Sequence, residues 1–351
     1  MGFGGCLDSG VYLSNKTIDS HPRIYLMKQI VLPSIIFVLA LSSCKEPEGN
    51  KSIGVSASQD STQIIISYLG NAGWEITDGK IIILIDPYLS RLRRNYSSNS
   101  IDSSFPGDNR RPLGENDIVE PDTAIINEHI KKADYILVHH SHRDHIMDVP
   151  YIALKTGAIV IGHESTANVM LAYGVSEEKI ITVKGGEDYN FGNFSVKVIP
   201  SLHSPLYEKR YYDSRIFQKE TKVPLRVKDF VEGGSLCFLL RFAGHEILTS
   251  GSMNYIEKEL EGLHPDVAFV GALPSRNEIY DYEGRLMRVL NYPAIVFPTH
   301  WDNTNVPYEV PQDKELKQLD SFKEKIKKAS PNTKIIVPEY FEPIKIPTIN
   351  H

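Results

Sequence analysis

The chain has 351 residues, enough for one large domain or two small ones once an N-terminal targeting segment is set aside. Its apolar share of 41% and charged share of 23% are those of an ordinary globular protein. The net charge of −6 leaves no basic excess to neutralise phosphates, which argues against a nucleic-acid partner, and three cysteines are too few for a disulfide framework.

Residues 1–26 are polar and irregular and read as an upstream extension ahead of a true start at Met27. From there Lys28 precedes an apolar stretch, Ile30 to Leu41, and then Ser42, Ser43 and Cys44. These are the parts of a secretory signal over 27–43, with an apolar run too short to span a bilayer comfortably. The small residues before Cys44 resemble a bacterial lipobox, which implies cleavage there and a lipid on the cysteine. Residues 44–61, rich in Ser, Glu, Gly and Gln, read as a flexible tether. The folded domain, 62–345, would then sit lipid-anchored in the cell envelope, on a periplasmic or outer-membrane face.

Ile64 to Leu69 reads as a strand, Trp74 to Thr77 as a second, and Lys80 to Asp86 as a third after the hairpin signal Asp78-Gly79. Residues 90–123 are polar, carry Arg91, Arg93, Arg94, Arg110 and Arg111, and read as a long loop. Strand and helix then alternate: strand 134–139, helix 147–156 ended by Gly157, strand 158–162, helix 165–173 ended by Gly174, strand 179–183. Hairpins follow about Gly192-Asn193 and Gly244, then short buried strands at 266–270 and 294–297. Residues 313–329 carry apolar side chains at Leu316, Leu319, Phe322 and Ile326, the spacing of an amphipathic helix. The hairpin-then-β/α order occurs in both halves, without a fixed repeat. A second insertion, 204–234, is aromatic and basic (Tyr207, Tyr211, Tyr212, Arg210, Arg215, Phe217, Arg226, Phe230) and reads as a cover over a site near His203. Cys237, in an apolar run, reads as a small core residue.

Four of the 12 histidines fall within residues 139–145, directly after an apolar strand. A buried parallel strand delivers its C-terminal loop to the sheet edge, where α/β folds build their sites. A loop can turn His140, His142, Asp144 and His145 toward one point, and imidazole and carboxylate suit Zn²⁺ at about 2.0–2.2 Å.

The pattern His140-x-His142-x-Asp144-His145 resembles the signature of the metallo-β-lactamase superfamily. The resemblance runs over 62–340 and implies a four-layer αββα sandwich in one α/β domain. Leu69 to Trp74 and Ile85 to Ser90 are similar to the first hairpin of its branch of sugar-phosphate lactonases and N-acyl-phosphatidylethanolamine phospholipase D-like enzymes, with Asn71 where that branch usually has His. The pattern implies a further His after each of two later strands, and His203 and His300 supply them. His139, His129, His163, His245 and His264 are set aside, His139 because strand alternation turns it away from His140.

The family usually places a metal-bridging Asp between those two histidines. Here Leu248-Thr-Ser-Gly-Ser-Met253 offers Ser252, a poor ligand for a hard dication. The first metal would keep His140, His142 and His203. The second would keep Asp144, His145 and His300 and bind more weakly or not at all. Zinc is the expected metal, with Mn or Fe as alternatives.

The resemblance implies a hydrolase in which a metal-activated hydroxide attacks a phosphodiester or a lactone, with Asp144 both ligand and proton acceptor. The substrate would be a small or lipid-derived molecule, with arginines of the insertions holding an anionic group. The alternative is a non-catalytic metal- or ligand-binding lipoprotein whose site has degenerated at Ser252. The oligomeric state is not legible.

Overall fold

A computed structural model describes residues 63–94, 107–205 and 209–347. The expected upstream extension, signal, lipid-bearing Cys44 and tether lie outside the described residues, as do parts of both insertions, Tyr207 among them.

Each half of the chain opens with antiparallel strands and continues with parallel β/α units. β1 (Ile64–Gly70), β2 (Gly73–Thr77) and β3 (Ile82–Ile85) form a meander. In β1, Ile64, Ile66 and Tyr68 are buried while Ile65 and Ser67 are half-buried, the two-residue period of a strand with one fully covered face. α1 (Thr123–His129) is capped by Asp122, whose carboxylate accepts from Ala124 N and Ile125 N. β4 (Tyr135–Leu137), α2 (Arg143–Ile146), α3 (Val149–Thr156), β5 (Ile159–Gly162), α4 (Glu164–Ala172) and β6 (Ile180–Thr182) complete the first half, with Gly157 ending α3 at a left-handed φ of 73°.

The second half runs β7 (Asp188–Asn190), β8 (Phe194–Pro200), β9 (Leu236–Phe242), β10 (His245–Ser250), α5 (Glu257–Leu260), β11 (Val267–Gly271), α6 (Tyr282–Val289), β12 (Ile295–Thr299), α7 (Asp313–Ala329), β13 (Lys334–Ile335) and β14 (Pro343–Ile346). Two seven-stranded sheets result, in the orders β14-β1-β2-β3-β4-β5-β6 and β13-β12-β11-β10-β9-β8-β7. In each, antiparallel pairings occupy one side and parallel pairings the other.

The sheets pack face to face. Trp74 of the first stacks on Phe269 of the second at 4.3 Å, and its indole nitrogen donates to Thr299 Oγ1 at 2.9 Å. Ile152, Val169 and Met170 of α3 and α4 cover the outer side of the first sheet with Ile136 and Val160. Leu286, Met287, Leu319, Phe322 and Ile326 of α6 and α7 are buried on the second. The architecture is the αββα sandwich, as expected.

Several local readings need correction. The histidine segment is not all loop: Arg143–Ile146 is a helical turn, and α3 starts only at Val149. Leu316, expected on the buried stripe of α7, is 40% exposed. α1, β13 and β14 were not anticipated. β14 returns to the first sheet and pairs antiparallel with β1, Ile346 opposite Ile64.

The two insertions join. Val119 N donates to Leu225 O, Val227 N to Asp117 O and Lys228 N to Glu115 O, at 2.9–3.0 Å. Phe217, Leu225, Val227, Phe230 and Val231 are buried with the outer core of the first sheet, so this segment is a packed cover.

Candidate metal centre

All the candidate residues stand just beyond strand ends: Asp86 after β3, His139 to His145 after β4, His203 after β8, Ser252 after β10 and His300 after β12. They meet at one edge of the sandwich. His140 Nε2 lies 3.1 Å from His142 Nδ1, which lies 3.1 Å from His203 Nε2. Asp144 Oδ2 lies 3.3 Å from His300 Nε2 and 3.7 Å from His145 Nε2. The six residues expected from sequence are therefore brought together as two neighbouring triads, each with its ligand atoms within 4.8 Å of one another.

The partners of the other ring nitrogens set the tautomers. His142 Nε2 meets Tyr212 O at 3.0 Å and His203 Nδ1 meets Ser204 O at 2.9 Å. Carbonyls only accept, so those nitrogens carry the protons and the lone pairs of His142 Nδ1 and His203 Nε2 point at each other. His145 Nδ1 is bound to Asp86 Oδ2 at 2.6 Å, while its Nε2 is buried without a hydrogen-bond partner. Converging lone pairs and an orphaned buried nitrogen are costly unless a cation receives them. Tetrahedral zinc with nitrogens at 2.0–2.1 Å separates its ligands by about 3.3 Å, close to the spacing found. The donor set fits a metal.

The electrostatics agree. Burial, reinforced by the neighbouring imidazoles, holds His140 well below the ordinary histidine range. Burial lowers His142 to about 4, and burial with His142 beside it lowers His203 to about 3. These nitrogens are unprotonated at neutral pH, as ligands must be. Burial pushes the Asp144 carboxyl upward, but His145, His300 and Arg143 outweigh it and hold it well below the usual carboxylate range.

Three residues supporting the ligands escaped sequence reasoning. Asp86, fully buried, accepts from His139 N at 2.8 Å and from the Nδ1 atoms of both His139 and His145 at 2.6 Å. Those histidines overcome its desolvation and lower its carboxyl to about 2. His139, set aside above, is thus one atom removed from the second triad. Asn71, at the position where a histidine was expected, donates from Nδ2 to Asp144 O at 2.7 Å and Asp144 Oδ2 at 3.2 Å. The signals were an Asp directly after an apolar strand and an Asn in a turn.

Asn71, Asp86 and His300 all have left-handed φ angles, 56°, 39° and 52°. Such backbone strain in non-glycine residues persists where surroundings over-determine it. Here Asp302 supplies much of the constraint: its buried carboxylate accepts from Asn71 N and Tyr68 OH at 2.8 Å, from Tyr340 OH at 2.8 Å, and from Arg91 Nη1 at 2.7 Å. His300 N in turn donates to Asn71 O at 2.6 Å.

Ser252 is buried, and its Oγ accepts from Ser204 N at 2.9 Å. Among the described residues, Asp144 is the carboxylate that joins either triad. The cavity over the triads has a volume near 160 Å³ and is walled by Arg94, Arg143, Tyr212, Val227, Phe230, Met253 and Leu273. Of the insertion arginines, Arg91 is committed to Asp302, Arg110 to Asp108 and two carbonyls, and Arg111 to Asp117. Arg94, which itself pairs with Glu115 at 3.4 Å, reaches the cavity, joined there by Arg143 of the histidine segment.

An αββα sandwich that gathers these residues at one sheet edge defines the class of metallo-β-lactamase-fold hydrolases. The chain belongs to the family described as the beta-lactamase superfamily domain, whose profile matches residues 65–300. A UPF0173 metal-dependent hydrolase of Desulfitobacterium hafniense is 25% identical over 272 residues, 77% of this chain and 93% of that protein. Another, of Carboxydothermus hydrogenoformans, is 30% identical over 138 residues, 39% of this chain and 47% of the relative. Among solved structures, the metallo hydrolase Igni18 of Ignicoccus hospitalis matches 81% of this chain and 99% of its own at a TM-score of 0.50 and 16% identity, a likeness of fold. The protein is a metal-dependent hydrolase of this superfamily.

Proposed function

We propose that the protein hydrolyses a phosphodiester or a lactone bearing an anionic group, using zinc held tightly by His140, His142 and His203 and more weakly by Asp144, His145 and His300. The observation that carries the reading is the pair of converging triads opening into a cavity that also holds Arg94 and Arg143. A divalent cation there would activate a water as the nucleophile and polarise the oxygen of the bond under attack.

The protein's own groups supply the rest. Asp144, ionised and steadied by Asn71 Nδ2 at 3.2 Å, is the carboxylate that would accept the proton of the nucleophile. Arg94 and Arg143 bind and orient an anionic oxygen; guanidinium groups suit phosphate and carboxylate by paired hydrogen bonds. Val227, Phe230, Met253 and Leu273 exclude bulk water, which strengthens each of these interactions. The cavity admits a small reacting group, so a lipid-derived substrate would leave its chains outside.

The Cys44 anchor and an envelope location belong to the same reading and rest on the sequence pattern alone. Among the described residues no helix is long and apolar enough to cross a membrane. The test compares zinc-loaded wild type with His142→Ala on a bis-aryl phosphodiester and on simple lactones. Wild type should turn over at least one class and the variant should fall to background. Equal rates in the two would favour the binding-protein alternative that Ser252 raises.

A further inference from the structure

The cover does more than roof the cavity: it grips the segment that carries the histidines. Glu232 O accepts from Ser141 N at 2.7 Å, Val231 O accepts from Ser141 Oγ at 2.8 Å, and Leu236 N donates to His139 O at 2.9 Å. From its other limb, Tyr212 O accepts from His142 Nε2 at 3.0 Å. The limbs are tied across by Glu232 N to Asp213 O and Gly233 N to Arg215 O, both at 2.9 Å. Ser141 stands between His140 and His142, so one segment, 211–236, holds the three-histidine triad by backbone and by ring.

We propose that the limb Tyr211–Arg215 is a positioning strap whose order and whose metal occupancy are one linked equilibrium. The inference rests on the metal-centre reading above. His142 presents Nδ1 to the triad because Nε2 is held by the Tyr212 carbonyl. A ligand histidine oriented through its second nitrogen loses about 10- to 100-fold in metal affinity when that partner goes. Coupling is reciprocal: if the seated strap favours the cation, the cation must favour the seated strap by the same factor. The strap's outer face is exposed and Tyr211 and Tyr212 are 46% and 49% exposed, so little apolar burial fixes it in the absence of the tie. Tyr212 also walls the cavity, so the metal, in seating the strap, would complete the substrate site.

Asp213 provides the handle. It lies at φ 46°, and its carboxylate, 21% exposed, pairs with the exposed guanidinium of Arg215. Asn tolerates that backbone; a β-branched residue does not. The experiment measures amide exchange at Glu232 and Gly233, whose N–H groups donate to the strap carbonyls of Asp213 and Arg215, in the full-length protein, metal-free and zinc-loaded, with zinc affinity read by chelator competition. Zinc should slow exchange at Glu232 and Gly233 about 10-fold or more in wild type. Asp213→Val should lose that protection and bind zinc about 10-fold more weakly, whereas Asp213→Asn keeps both. Unchanged exchange at Glu232 and Gly233 on loading wild type would overturn the strap, whatever the variants do. So would an Asp213→Val protein whose Glu232 and Gly233 amides exchange faster while zinc affinity stays at the wild-type value. If zinc fails to bind wild type at all, it is the metal-centre reading that falls.

Discussion

Ser252 Oγ accepts from Ser204 N at 2.9 Å, beside His203, and brings no charge to a position where a carboxylate would face two dications. The three-histidine triad is neutral, and Asp144 leaves the second triad a single negative charge. Hard dications are held chiefly by such charges. An aspartate at 252 could still accept the Ser204 amide while offering its second oxygen to the metals. Ser252→Asp should therefore retain two equivalents of zinc through extended dialysis where wild type retains one, as measured by elemental analysis; one equivalent in both would mean that charge at 252 does not limit the second site. The six residues of the two triads could be picked out because residue type, order and position after apolar strands all agreed. Asp86 and His139 could not, because their role depends on a contact between positions 53 residues apart in sequence. Strand alternation turned His139 from His140 and so hid that it reaches His145 through a shared carboxylate.

At the scale of elements, the turn after β10 matters for what it lacks. A Cβ on Gly251 would lie 2.5 Å from His139 Cβ and 2.6 Å from its Cγ. Gly251 is not in a left-handed conformation, so the constraint is space rather than backbone freedom. His139 cannot yield easily, being buried and bonded to Asp86 and Thr249. Gly251→Ala should cost about 1–3 kcal/mol by overpacking, read as a lower melting temperature. Its displacement passes through Asp86 to His145, so the Asp144–His145–His300 site should lose more zinc affinity than the three-histidine site; equal losses at both would refute that route. Long strands and α7 were legible because several turns or alternations repeat the same signal. α2 was not: four residues give no helical period, and their polarity argued for loop. β13, with two residues, and β14, which pairs with β1 some 280 residues away in sequence, are fixed by tertiary context alone.

For the whole molecule, the site joins the two sheets: His140, His142, Asp144 and His145 follow β4 of the first, His203 and His300 follow β8 and β12 of the second. A cation bound there cross-links them and stabilises the native state by mass action, about 2.7 kcal/mol when free zinc is 100 times its dissociation constant. Protons compete for the same nitrogens. An unfolded histidine titrates near 6.5, whereas folded His142 and His203 titrate at about 4 and about 3. Below about 6.5 the unfolded chain therefore binds more protons than the metal-free fold. The stability due to these histidines is present above that pH and is lost as pH falls toward 3–4. Asp86, lowered to about 2, contributes stability above the ordinary carboxylate pKa that is lost only at lower pH still. Because His140, His142 and His203 are already unprotonated in the fold, zinc affinity of their triad should stay nearly flat from pH 7 to 5 and fall below about 4. Over the same range the metal-free melting temperature should drop, so that zinc's contribution becomes a larger share of the remaining stability at mildly acid pH. Thermal melts with and without zinc at pH 7, 6 and 5, paired with zinc titrations, test both limbs. Affinity that decays steeply between pH 6.5 and 5.5 would show histidines titrating as they do in water, and the buried, preformed triad would have to be abandoned.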